Sequence, residues 1–179
     1  MRASFKRDTA ETSVAVSLDL EGSGRAEIKT EIPLLEEVLL VLSRATGFDI
    51  WIEVRGDTPT GDHHTVEDVA ITLGVVLAKL AGEGIGSSMV PSGGCLAEAA
   101  VRLGEPGYSG DFEFLARSLD GVQLENITHF MRTLAYNGNL TLYLSAAGGD
   151  DWQKIEALTL ALGRALRKAI QNGAASTRT

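Results

Sequence analysis

Two segments half a chain apart carry the same short pattern at the point where a strand hands over to a long helix. Gly61-Asp62-His63-His64-Thr65-Val66-Glu67-Asp68 has its counterpart in Gly149-Asp150-Asp151-Trp152-Gln153-Lys154-Ile155-Glu156-Ala157, allowing one extra residue. Glu156 follows Glu67 by 89 residues in a chain of 179. A unit used twice restricts the chain to folds assembled from two like substructures. The flanking periodicity says what the unit is. Thr12 to Leu20 sets Val14, Val16, Leu18 and Leu20 on one face, the period of a half-buried strand. Glu21-Gly22-Ser23-Gly24 turns it, and Arg25 to Thr30 returns as a second strand. Pro33 opens a helix with Leu34, Leu35, Val38, Leu39 and Leu42 on its apolar face. Phe48 to Val54 alternates again, and a helix runs from Asp62 to Leu80, closed by Gly82 and Gly84.

The second half is expected to repeat this order. Its strands fall near Glu98 to Leu103 and Asp111 to Leu115, followed by a helix from Glu125 to Tyr136, a strand from Leu140 to Ser145 and a helix from Asp151 to Ile170. The expectation is an α/β (α+β) chain: one domain of two strand-strand-helix-strand-helix repeats, about 7–86 and 87–171, each with its helices on a small mixed sheet. Residues 172–179 read as a mobile tail.

Charge and cysteine content exclude several classes of function. The net charge is -8 and Lys and Arg form no run, so neither a nucleic-acid backbone nor an anionic membrane surface is an expected partner. The longest apolar run, Val38 to Leu42, cannot span a bilayer, and Met1 to Asp8 is followed by no apolar leader. Cys95 stands alone, which rules out an internal disulfide and a paired-cysteine metal knuckle. A cytoplasmic location is expected.

The concentrated chemistry is His63, His64 and Glu67. On a helix Glu67 lies four residues from His63 and three from His64, so its carboxylate is within reach of either imidazole. The imidazoles point about a quarter-turn apart, which suits two ions on adjacent faces or one ion and a substrate group, and the donors favour Mn, Fe or Zn over Ca. The other reading is a helix start, with Asp62 as cap, Glu67 and Asp68 at the positive end of the dipole, and the histidines as surface residues. Glu36 and Glu37 have the same kind of dipole explanation after Pro33. His129 reads as a half-buried helix residue, Trp51 as a side chain that covers an interface.

The sequence resembles the imidazoleglycerol-phosphate dehydratases of histidine biosynthesis. The residues that carry the resemblance are Arg7-Asp8-Thr9-Ala10-Glu11-Thr12, Gly56-Asp57, Asp62 through Gly74, and Ser176-Thr177-Arg178. It implies two sheets enclosing helices, and subunits gathered in a closed 24-mer with active sites between them. It also implies a pair of Mn2+ ions held by two His-His-x-x-Glu motifs, one from each half. Water is then eliminated from the glycerol phosphate arm of imidazole glycerol phosphate. Carried onto this chain, the metal ligands are His63, His64, Glu67 and Glu156, with Glu37 a further oxygen donor. Glu67 and Glu11 are the candidate catalytic acids, and Ser176 and Arg178 are candidate contacts to the substrate phosphate.

Departures from the pattern are concentrated in the second half. Glu37 and Tyr143 stand where the family has histidines, and Trp152 and Gln153 fill the second histidine pair. Trp cannot ligate, Gln is a weak neutral donor, and Tyr ligates only as a phenolate. At the phosphate end the family's cations align with Ser87, Glu105 and Leu160, and Glu105 reverses the local charge. Gly84-Ile85-Gly86-Ser87-Ser88 reads either as a backbone-amide cradle for an anion or as a plain turn. Two functions remain open. One is a hydro-lyase acting on a small-molecule phosphate, with His63, His64 and Glu67 on manganese. The other is a paralogue that keeps fold and assembly, lacks the reaction, and serves as a structural or regulatory subunit co-assembled with an intact relative. Trp152 then plugs the vacated pocket.

Overall fold

The computed structural model describes residues 1–56 and 62–176, with side chains as far as residue 174. Its elements, in chain order, begin with β1 (Arg2–Asp8), β2 (Thr12–Asp19) and β3 (Ala26–Lys29), then α1 (Pro33–Thr46), β4 (Asp49–Gly56) and α2 (Asp62–Leu80). The second half runs β5 (Gly84–Ser92), β6 (Cys95–Leu103), β7 (Gly107–Asp111), the small hairpin β8 (Ser118–Leu119) and β9 (Val122–Gln123), α3 (Glu125–Asn137), β10 (Leu140–Gly148) and α4 (Asp151–Ser176).

The strands form two four-stranded sheets of the same pattern. The first has the order β1-β2-β4-β3 and the second β5-β6-β10-β7. In each, the first three strands pair antiparallel and the last pairs parallel to its neighbour. The register puts Val16 opposite both Phe5 and Ile52, and Leu142 opposite Val101, so apolar side chains line one face of each sheet. α2 packs on the first sheet and α4 on the second, while α2 meets α3 and α1 meets α4 between them. One continuous core results, with Leu35, Leu39, Ile52, Phe130 and Leu142 inside it. Truncating such a leucine to alanine costs about 2–5 kcal/mol.

Local chemistry sets the element ends. Pro33 occupies the first turn of α1, and Gly47 closes it with φ 74°, a left-handed value that suits glycine, its amide donating to Ser43 O at 2.8 Å. The expected helix from Asp62 to Leu80 is found with those bounds. Three differences from expectation have physical causes. Each half opens with one more strand, β1 and β5, and the expected junction at 86/87 falls inside β5. β7 lies at Gly107–Asp111 rather than 111–115, because the segment after it is strapped to α4. There Leu115 N and Ala116 N donate to the Asp151 carboxylate at 2.7 and 2.8 Å, and buried Lys154 donates Nζ to Glu113 O at 2.9 Å. α4 continues to Ser176, so residues 172–176 are helical rather than tail, and Asn172 Nδ2 anchors it by donating to Ile85 O at 2.9 Å. Residues 177–179 lie outside the described residues.

Candidate functional site

The start of α2 brings His63, His64 and Glu67 onto its first two turns, the histidines exposed and Glu67 half-buried. His63 Nδ1 stands 2.9 Å from Asn126 Oδ1 of α3. An amide oxygen only accepts, so Nδ1 is the donor in this bond and Nε2 is the ring nitrogen left for another partner. His129, also on α3, sets its ring edge-on to His63 with centroids 5.3 Å apart, and His64 lies 5.7 Å from His63. His129 is exposed rather than half-buried, and the three histidines of the chain gather where α2 meets α3. Glu11, in the turn between β1 and β2, brings Oε2 to 3.8 Å from His64 Nδ1. The expected acid is therefore beside the motif, in an exposed ion-pair geometry.

The other candidates lie on other elements. Glu156 is on α4, where it accepts from Ser92 Oγ at 3.2 Å. Glu37 is exposed on α1. Its neighbour Glu36, in the first turn of α1, ties down the segment before the helix, accepting from Thr30 N at 2.7 Å and Glu31 N at 3.1 Å. Tyr143 is exposed on β10, and Trp152 is half-buried at the start of α4. Gln153 N donates to Asp150 Oδ1 at 2.8 Å, and Asp150 N returns a bond to Gln153 Oε1 at 3.0 Å. Gln153, which stands where the resemblance sets a ligating histidine, thus serves as half of a helix cap. Trp51 is half-buried on β4. The side chain of Ser176, and Asp57, Gly61, Thr177 and Arg178 entirely, lie outside the described residues.

Among the described residues, no three His, Cys, Asp or Glu side chains converge to hold an ion. α2 supplies adjacent donors, but Glu156 and Glu37 belong to α4 and α1, and Trp152 and Gln153 stand where the resemblance sets the second histidine pair. The described part of one chain does not fit the dinuclear manganese site that the resemblance implies. Cys95 adds no ligand, since it is buried and burial pushes its thiol pKa up.

The segment Gly84 to Ser88 is neither an amide cradle nor a turn. It belongs to β5, whose outer edge is covered by α4, with Lys168 Nζ donating to Ser87 O at 2.9 Å beside the Asn172 bond to Ile85. Glu105 stands 3.7 Å from Arg102 Nη1, and Leu160 packs against the core. Sequence reasoning assigns no partner to Asn126, Asp151 or Lys154, and reads Asp68 only as an acid at the positive end of the helix dipole. All four are buried in the fold and paired there, which only the structure reveals.

Two matching mixed sheets around paired helices, one helix opened by His-His-x-x-Glu, define a duplicated α/β protein. The family model of imidazoleglycerol-phosphate dehydratase matches residues 30–166, and the chain belongs to that family of histidine biosynthesis. Among its relatives, the imidazoleglycerol-phosphate dehydratase of Methanothermobacter thermautotrophicus is 38% identical over 178 residues, covering 96% of this chain and 92% of that one. That of Desulforudis audaxviator is 38% identical over 188 residues, covering 99% and 96%. The crystal structure of the Staphylococcus aureus dehydratase superposes with a TM-score of 0.85 at 25% identity, over 95% of this chain and 98% of that one.

Proposed function

We propose that this chain serves histidine biosynthesis in the cytoplasm as a structural or regulatory member of the dehydratase family, which does not by itself dehydrate imidazole glycerol phosphate. One observation carries the reading. Trp152 and Gln153 occupy the positions 89 residues after His63 and His64, and the Gln153 amide is committed to capping α4. With Trp152 and Gln153 in place of one histidine pair, the donors left to manganese are the first-half His63, His64 and Glu67, and among the described residues Glu156 and Glu37 do not converge with them. The carboxylate of Glu105 repels the phosphate that an arginine would clamp.

Assembly is retained in this reading, as a homo-oligomer or with an intact paralogue. The outer face of the second sheet supports it, because Ile85, Met89, Leu96 and Tyr143 are exposed there on alternate positions of three strands. Sedimentation showing a monomer at micromolar concentration removes this part of the proposal.

A second reading, an active dehydratase with a small-molecule phosphate substrate, is favoured by the unbroken Asp62-to-Asp68 segment and by Lys168, a cation beside Ser87. The deciding experiment is a manganese-supplemented dehydratase assay of the wild type beside His64→Ala. Equal background rates support the non-dehydrating reading. A robust wild-type rate abolished by the substitution establishes the enzyme instead.

A further inference from the structure

The turn between β1 and β2 is fastened to α2 at one residue that neither functional reading uses. Asp68 is buried, with a relative exposure of 8%. Its Oδ1 accepts from Arg7 Nε at 3.0 Å, at the end of β1, and its Oδ2 accepts from Thr12 Oγ1, at the start of β2. A buried carboxylate is tolerated where charged and hydroxyl donors compensate it, and here both donors come from the two ends of one turn. Inside that turn Thr9 completes the frame: its amide donates to Thr12 O at 2.8 Å, and its Oγ1 accepts from Glu11 N at 3.3 Å and Thr12 N at 3.0 Å.

Helical spacing makes this more than a brace. Asp68 follows His64 by four residues, so the two share one face of α2, and the turn pinned at Asp68 lies over the face that carries His64. Glu11 sits in the pinned turn, and its carboxylate is the group found beside His64 Nδ1.

We infer that Asp68 is a positioning residue for the first-half site: through Arg7 and Thr12 it holds the 8–12 turn so that Glu11 stands against His64. The inference deepens the reading of His63, His64 and Glu67 as the retained half of the family's site and rests on it for its functional meaning. The Glu11–His64 geometry itself is measurable without turnover. The signature of positioning is that removing the Asp68 or Thr12 contact has the same effect on His64 as removing the Glu11 charge, while the rest of the α2–α3 junction stays unchanged.

The test is the rate at which diethyl pyrocarbonate acylates each histidine, read by peptide fragmentation, in the full-length protein without metal or substrate. Glu11→Gln is expected to raise the His64 rate about two- to fivefold, the range that loss of one exposed polar contact commands, because the side chain 3.8 Å from Nδ1 no longer holds the ring. Asp68→Asn and Thr12→Val are expected to raise it equally, Thr12→Ser to restore it, and His129 to keep its wild-type rate throughout. Thr12→Val carries the test if Asp68→Asn does not fold. The inference is overturned if Glu11→Gln leaves His64 unchanged, or if the Asp68 and Thr12 variants do so. It is equally overturned if His129 accelerates with His64, which marks general loosening. None of these rates depends on dehydratase activity, so a failure here is separable from a failure of the functional reading.

Discussion

Asp150 and Gln153 hold the first turn of α4 closed on itself, each accepting with its side chain from the other's amide. This reciprocal pair has the geometry of a capping box, and the Asp150 carbonyl also accepts the first intrahelical bond, from Lys154 N at 3.0 Å. Asp150→Ala is expected to cost about 1 kcal/mol of stability in urea unfolding. Gln153→Ala should cost somewhat less, about 0.5–1 kcal/mol. Because the two side chains complete one arrangement, the double variant should lose less than the sum. Strictly additive losses would show that the two bonds form independently.

Acid sensitivity is expected at a second carboxylate, far from the histidines. Asp49 opens β4 and gathers the preceding turn: the Arg25 amide donates to Oδ1 at 2.9 Å and the Ser23 amide at 2.8 Å, with Arg25 Nε 3.9 Å from Oδ2. The Arg25 amide, then the Ser23 amide, hold its carboxyl below the ordinary 3.8. A depressed folded-state value means that the stabilisation is present above the unfolded value and is lost as pH falls through the folded one. The stability gap between wild type and Asp49→Asn should therefore be constant from neutral pH down to about pH 4 and close below it. A gap that persists unchanged below the folded value would exclude the carboxylate as its source.

β5 rests against α4 with no room for a side chain at Gly86. A Cβ there would stand 2.2 Å from Ala165 O and 2.5 Å from Ala169 N, both backbone atoms of a long helix that cannot yield locally. Gly86→Ala is expected to destabilise by about 1–3 kcal/mol or more and to separate β5 from α4. A denaturation midpoint equal to the wild type's would mean that the strand shifts freely, contrary to its two side-chain anchors from Lys168 and Asn172.

The same contact explains what sequence periodicity could and could not reveal. β2 and β4 are legible because Val14, Val16 and Leu18, and Ile50 and Ile52, put large apolar groups on alternate positions. β5 alternates just as regularly, but Gly84, Gly86 and Ser88 form its inner face, so the pattern carries no hydrophobic signal. β1 hides for a related reason: it is an edge strand whose inward side chains are Ala3, Phe5 and Arg7, and Lys79 Nζ lies over the Phe5 ring at 4.7 Å. In the site, the motif on α2 was legible because its residues are neighbours in sequence. Of its partners only Glu11 was legible, through the family resemblance; the pairings of Asn126 with His63 and of Arg7 with Asp68 were not, since they span 63 and 61 residues.

Restoring the lost histidine pair tests how much of the departure is reversible. Trp152→His with Gln153→His would return two imidazoles to α4, at the positions matching His63 and His64, and should tighten manganese binding measured by calorimetry. The same change removes the acceptor for Asp150 N and places a ring where Gln153 now packs beside Gly93, so stability should fall by about 1 kcal/mol. Dehydration of imidazole glycerol phosphate should nonetheless stay near background. In the proposed reading Glu37 and Tyr143 still stand where the resemblance sets two imidazoles, and Ser87, Glu105 and Leu160 where it sets the cations at the phosphate end. Each strongly used electrostatic contact is worth about 2.7–4 kcal/mol in the transition state, or roughly 10²- to 10³-fold in rate. Two restored ligands cannot offset several missing contacts that act on a different part of the substrate. A double variant with a dehydratase rate well above the wild type's would show that the phosphate is held by groups other than the aligned ones, with Lys168 the first to examine by Lys168→Ala in the same background.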